Sequence, residues 1–123
     1  MIKTVVFDFD GVIHSYTSGW QGINVAGDPP VDGINEAIQA VRQAGYKVAV
    51  VSSRCCEKDG MDTVIDYLNR YGIEVDAVTP YKPPAIVYID DRAICFDGRP
   101  ETLLEKIQSF KVWNKPFCAG GKA

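Results

Sequence analysis

The 123-residue sequence predicts an α/β fold, an open and mostly parallel sheet of about five strands with flanking helices. Three observations carry that expectation. Short apolar runs alternate along the chain with segments of helical periodicity. Glycine and proline punctuate the joints between them. Three of the apolar runs also close on polar or acidic residues, and open α/β sheets gather their ligands beyond the carboxyl ends of their strands.

The first run, residues 2–9, is interrupted before Asp8 only by Lys3 and Thr4 and reads as a strand buried on both faces. It closes on Asp8-Phe9-Asp10-Gly11. Side chains i and i+2 of an extended chain point the same way, so this spacing sends the Asp8 and Asp10 carboxylates to one spot. Gly11 lets the backbone turn away sharply. Two adjacent carboxylates repel, and the arrangement calls for a cation or a shared proton. Residues 12–28 have no helical period; short alternating pieces at Val12-Ile13 and Ile23-Val25 suit a small hairpin flap, residues 14–26. His14, the one histidine of the chain, reads there as a polar contact rather than a catalyst.

Pro29-Pro30 introduces a helix whose apolar stripe is Val31, Ile34, Ala37, Ile38 and Val41, with Gly45 as its stop. Residues 46–51 form the second strand and end in Ser52-Ser53-Arg54. A second helix over residues 59–71 carries Met61, Val64, Ile65 and Leu68 on one face and stops at Gly72. The third strand is expected over residues 73–78, followed by a stiff, proline-rich connection containing Lys82. Residues 85–89 give the fourth strand, which finishes on Asp90-Asp91-Arg92, and residues 93–96 a short fifth. Asp97-Gly98 turns the chain, and Pro100 opens a last helix with Leu103, Leu104, Ile107 and Phe110 inward. Residues 1–112 are thus expected to form a single domain, and residues 113–123 a frayed tail.

Composition narrows the function. The chain is 46% hydrophobic and 24% charged, ordinary for a soluble globular protein. A net charge of −3 with no basic block argues against extensive nucleic-acid binding. The apolar runs are strand-sized, which argues against a membrane span. A chain that opens directly into a strand shows no signal peptide, so the expected location is cytoplasmic. Cys55, Cys56, Cys95 and Cys118 have neither C-x-x-C nor Cys/His spacing and read as free thiols.

A strand-end cluster of carboxylates without a histidine partner suits a hard cation, Mg²⁺ above all. A carboxylate that attacks a phosphate needs such an ion, because two anions must otherwise approach each other in a pocket of low dielectric. Ser52 can donate to a phosphoryl oxygen, and Lys82 or Arg54 can neutralise its charge. Asp10 can protonate the leaving oxygen and then take a proton from water. Together these parts describe phosphoryl transfer through an aspartyl-phosphate.

The order Asp8-Phe9-Asp10-Gly11, Ser52, Lys82, Asp90-Asp91 resembles the four motifs of the haloacid dehalogenase (HAD) superfamily of phosphohydrolases, over residues 1 to about 110. The resemblance implies a Rossmann-like sheet with Asp8 as nucleophile and Asp10 as general acid/base. Ser52 would bind the phosphoryl group and Lys82 would hold charge on nucleophile and phosphate. Mg²⁺ would be held by Asp91 with Asp90, by Asp8 and by the backbone carbonyl of Asp10. The segment between the first two motifs is used up by flap and helix, and no insertion of domain size follows Lys82, so the resemblance is to a small member without a cap domain. Such members take larger substrates or borrow a second subunit as lid, which makes a homo-oligomer one expectation. Ser52-Ser53-Arg54 and Asp90-Asp91-Arg92 are also similar to motifs in the phosphatase half of polynucleotide kinase-phosphatases. Ser53, Arg54, Tyr16 and Trp20 are the candidate substrate contacts, and a phosphorylated small molecule or nucleotide the expected substrate. The prolines around Lys82 depart from the family, where a helix carries the lysine. A non-catalytic phosphate-binding or regulatory module, a phosphotransferase, and a polynucleotide 3′-phosphatase-like enzyme stand as alternatives.

Overall fold

In the computed structural model, which describes residues 1–114, strand β1 (Thr4–Asp8) is the hub of a four-stranded parallel sheet. Its neighbours are β2 (Lys47–Val51) on one side and β4 (Val87–Ile89) on the other, with β3 (Ala77–Thr79) beyond β2. The register sets Val5 beside Val48 and Val87, and Phe7 beside Val50 and Ile89. Between the strands run α1 (Ile34–Gln43) and α2 (Lys58–Arg70). The result is a small Rossmann-like α/β fold, with no cap domain among the described residues.

Both helices lie on one face of the sheet. Ile38 of α1 and Val64, Tyr67 and Leu68 of α2 are buried with Val5, Phe7, Val48 and Val50. Steps from β1 to β2 and from β2 to β3 move in the same direction, and crossovers of one hand then place both helices on the same side. The alternate residues Val6, Ala49 and Val51 form a smaller cluster with Ala85 on the other face. Gly45 (φ 100°) and Gly72 (φ 66°) stop the helices in the left-handed conformation that glycine adopts without steric cost.

Several expected elements come out differently. The third strand covers Ala77–Thr79, not residues 73–78, because the preceding segment is spent on the helices. The Ile73 amide closes the end of α2 on the Leu68 carbonyl, and Glu74 and Asp76 receive Arg42 of α1. The fourth strand begins at Val87 rather than residue 85. In place of a hairpin, residues 12–28 fold as turns, with isolated bridges from His14 to Asp10 and Pro30.

The chain divides into two compact units at the peptide bond between Asp90 and Asp91. In the second, residues 93–96 pair with no strand, so the sheet has four strands among the described residues instead of about five. Ala93 and Ile94 instead line a shallow cavity with Ile107 and Phe110. Pro100–Thr102 makes one 3₁₀ turn leading into α3 (Leu103–Gln108), and Lys106 ties back to Asp97 at 2.9 Å. Leu104, Ile107 and Phe110 were expected inward and are exposed, since a helix of six residues is too short to sustain a buried stripe. Cys55, Cys56 and Cys95 are in no disulfide. Cys118 and the expected frayed tail beyond Asn114 lie outside the described residues.

Candidate functional site

The strand order places β2 and β3 on one side of β1 and β4 on the other, which makes the carboxyl ends of β1 and β4 the topological switch point of the sheet. Asp8 is the last residue of β1, and Asp90 follows β4 directly. One carboxylate oxygen from each of Asp8, Asp90 and Asp91 lies within 4.8 Å of the other two, and all three residues are half-buried. An all-oxygen set carrying three negative charges fits a hard divalent cation, which removes the mutual repulsion of its ligands.

The Asp10 carboxylate is not part of that cluster. Strand geometry ends at Asp8, so the alternation that would bring Asp8 and Asp10 together does not reach Asp10. Gly11 (φ 90°) turns the chain, and the amides of Ile13 and His14 both close on the Phe9 carbonyl at 3.0 Å. Asp10 is thereby delivered to Arg54 and His14. The guanidinium grips it with two prongs, Nε to Oδ2 at 2.8 Å and Nη2 to Oδ1 at 3.1 Å. His14 Nδ1 reaches Oδ1 at 2.8 Å.

Arg54 is 1% exposed, an unusual place for a guanidinium. A 3₁₀ turn after β2 (Ser53–Cys56) puts it there, with the Ser52 hydroxyl accepting the Arg54 amide at 3.2 Å. Its remaining donor, Nη1, serves the Gly22 and Ile23 carbonyls at 3.1 and 2.9 Å. The exposed Trp20 ring covers the guanidinium carbon at 4.7 Å. Gly60, in the first turn of α2, makes this packing feasible: a Cβ there would stand 1.9 Å from the Arg54 carbonyl oxygen.

His14 is equally enclosed, 1% exposed and stacked on Phe9 at 5.5 Å. Its Nε2 accepts the Asp28 amide at 3.1 Å. An amide can only donate, so the ring proton resides on Nδ1 and is given to Asp10. Asp28 is fixed in turn: its carboxylate accepts the Ser18 hydroxyl at 2.6 Å and amide at 2.8 Å, and its carbonyl accepts the Tyr67 hydroxyl at 2.8 Å. Sequence reasoning did not find Asp28, Tyr67 or Gly60. A lone glycine early in a helical pattern was the available sign for Gly60; nothing local marks the other two.

The other expected contacts are spread over the same end of the sheet's elements. Ser52 is buried at the end of β2 and Ser53 is exposed at the start of the 3₁₀ turn. Lys82 is exposed on the loop between β3 and β4, its ammonium 5.3 Å from the centre of the Tyr88 ring. Tyr16 sits with its ring edge to His14 at 5.8 Å and holds φ 63°, a costly conformation for an aromatic residue.

Burial alone would raise the Asp10 pKa, but the hydrogen bonds from His14 and Arg54 outweigh it and hold the carboxyl below the usual range. Asp28 is held down in the same way by Ser18. A carboxyl depressed on folding adds stability that is present above its unfolded pKa and is lost as pH falls through the folded value. Thermal stability should therefore hold down to about pH 4 and drop below it. A melting series from pH 6 to pH 2 should show a shallower acid slope for Asp10→Asn than for the wild type.

No protein-family model matches the sequence, and no curated protein matches it. Among solved structures the chain is similar to a conserved protein from Bacteroides thetaiotaomicron, at 21% identity and a TM-score of 0.59, covering 95% of this chain and 98% of that one. It is also similar to a chain in the Pnkp1/Rnl/Hen1 RNA repair complex, at 23% identity and a TM-score of 0.53, covering 88% of this chain and 33% of that one. A further structure of the Pnkp1/Rnl/Hen1 complex matches at 19% identity and a TM-score of 0.52, with 92% and 36% covered. This chain therefore spans about a third of the length of the chains it matches in those complexes. At such identities the likeness establishes the fold. Among the described residues no helix is long and apolar enough to cross a membrane.

Proposed function

We propose that this chain is a Mg²⁺-dependent phosphomonoester hydrolase of the HAD type, acting through an aspartyl-phosphate on Asp8. The observation that carries the reading is the convergence of Asp8, Asp90 and Asp91 at the switch point of the sheet. Asp8, Asp90 and Asp91, with the backbone carbonyl of Asp10, would hold the ion, which supplies charge neutralisation of the phosphate when bound. Asp8 attacks phosphorus through a carboxylate oxygen and displaces the leaving oxygen. Asp10, held ionised by His14 and Arg54 in the free protein, takes up a proton as the phosphate ester binds, gives it to the leaving oxygen, then accepts one from the water that cleaves the acyl phosphate. Ser52 donates to the phosphoryl group, and Lys82 supplies positive charge. Arg54 serves this scheme by holding Asp10, with Ser53 beside it at the rim.

The substrate is a phosphorylated small molecule or a nucleotide end. Transfer to an acceptor other than water uses the same first step, and the fate of the phosphoryl group separates the two. The RNA repair setting of two of the fold neighbours justifies 3′-phosphorylated oligonucleotides in the substrate panel beside sugar phosphates and nucleotides.

Two expectations test the reading. Asp91→Ala should raise the Mg²⁺ concentration for half-maximal turnover or abolish turnover; an unchanged metal dependence removes Asp91 from the site. Zn²⁺ retained tightly through purification would contradict the oxygen-only donor set. Trp20, exposed over the guanidinium that holds Asp10, supplies an apolar face for the leaving group, and Tyr16, edge-on to His14, a second. Trp20→Ala should raise KM or reorder the preferred substrates, with little loss of kcat on a small aryl phosphate. A lower Tm with the substrate order intact assigns Trp20 to packing.

A further inference from the structure

The most enclosed polar arrangement in the loop of residues 12–28 is centred on His14, which takes no part in the proposed steps. His14 is buried, yet every polar atom of its ring is spoken for: Nε2 by the Asp28 amide, Nδ1 by the Asp10 carboxylate. The ring cannot turn over, because a flip would put Cδ2–H and Cε1–H where Nδ1 and Nε2 now meet Asp10 and the Asp28 amide, and the other tautomer would face a bare lone pair to the acceptor and a proton to the donor. Phe9 stacks on it and Tyr67 meets it edge-on at 5.3 Å. The Asp28 amide that fixes the tautomer is itself held by the Ser18 and Tyr67 contacts to the same residue. Four residues thus converge on a single outcome, a proton on Nδ1 aimed at Asp10 Oδ1.

We infer that His14 is a positioning residue for Asp10. Arg54 alone would let the carboxylate pivot about the guanidinium fork, whereas a third donor from a different element fixes the plane of the carboxylate. Because Asp28 locks the donor, the fold of the loop and the aim of Asp10 are one variable. Proton transfer to a leaving oxygen is sensitive to that aim, and its loss is worth about 10²–10⁴-fold in rate. The inference rests on the proposed role of Asp10, and its test has one arm that needs no activity.

His14→Phe keeps the stack on Phe9 and removes both ring nitrogens, while His14→Asn restores one N–H near the position of Nδ1. Turnover of an alkyl phosphate and of p-nitrophenyl phosphate is measured for both, with the folded fraction fixed by circular dichroism. In His14→Phe the alkyl ester should lose about 100-fold or more and the activated aryl ester less than about tenfold, since the latter needs little protonation. His14→Asn should recover most of the difference. Equal losses on both esters, or no rescue by asparagine, overturn the positioning role. The arm without activity reads the wild-type imidazole by ¹⁵N NMR, unambiguous because the chain has a single histidine. A slowly exchanging Nδ1–H tautomer that is lost in Asp10→Ala supports the inference, and an Nε2–H or averaging ring overturns it. If no phosphate ester is turned over while the tautomer is as stated, the hydrolase reading fails and the His14–Asp10 lock stands.

Discussion

Asp8→Asn should abolish the proposed turnover, by at least about a thousandfold, and leave the fold intact. The amide keeps the size of the carboxylate but has no anionic oxygen to attack phosphorus. Asp8 stands within 4.8 Å of two further carboxylates, and a divalent cation relieves the repulsion among them. Mg²⁺ should therefore raise the Tm of the wild type clearly and that of the variant much less, because the variant has lost much of the binding free energy. Melting curves at increasing Mg²⁺ and single-turnover assays measure both effects. Wild-type levels of turnover in Asp8→Asn, with contaminating phosphatase excluded by a parallel Asp8→Ala preparation, would falsify the covalent route. A Tm that fails to rise with Mg²⁺ in the wild type would sink the metal site itself.

The parts of this site that the sequence made legible are those set by strand ends. Apolar runs show where strands lie, so the residues that terminate them, Asp8, Ser52 and Asp90, were readable as neighbours at one end of a sheet. The pairing of Asp10 was not. Its direction depends on where β1 stops, and Phe9 leaves the ladder to enter the core at 0% exposure. Strand periodicity misled for one residue pair because the pattern looks the same on either side of that exit. Arg54 was readable as a strand-end residue but not as a buried one, since burial of a guanidinium is decided by partners distant in sequence: Asp10, Gly22 and Ile23. The short third and fourth strands reflect a similar limit. An apolar stretch such as residues 73–78 can satisfy its burial by capping a helix as readily as by joining a ladder, as Ile73 does.

Arg54 should therefore be the costliest single side chain to remove outside the apolar core. Arg54→Met fills a similar volume but leaves the Asp10 carboxylate with one donor and the Gly22 and Ile23 carbonyls with none from this side chain. Breaking one partner out of a buried ion pair costs about 3–5 kcal/mol. For a domain of this size that is a fall in Tm on the order of 10–20 °C. Asp10 is itself 20% exposed, and water reaching it places the expected loss toward the lower end of that range. Arg54→Lys should rescue little, because a point charge cannot span two carboxylate oxygens and two carbonyls at once. Arg54→Met combined with Asp10→Asn should recover part of the stability, since the double variant no longer carries an uncompensated charge. The four proteins form a double-mutant cycle readable by urea unfolding. A coupling near zero, or a Tm for Arg54→Met within about 3 °C of wild type, would show that the guanidinium contributes packing alone. The same cycle links stability to the loop: Gly22 and Ile23 are tied to the sheet through Arg54, so Arg54→Met should also open residues 12–28 to limited proteolysis before the rest of the domain. Cleavage there in Arg54→Met but not in Asp10→Asn would show that Arg54, rather than the charge pair as such, holds the loop against the strand end.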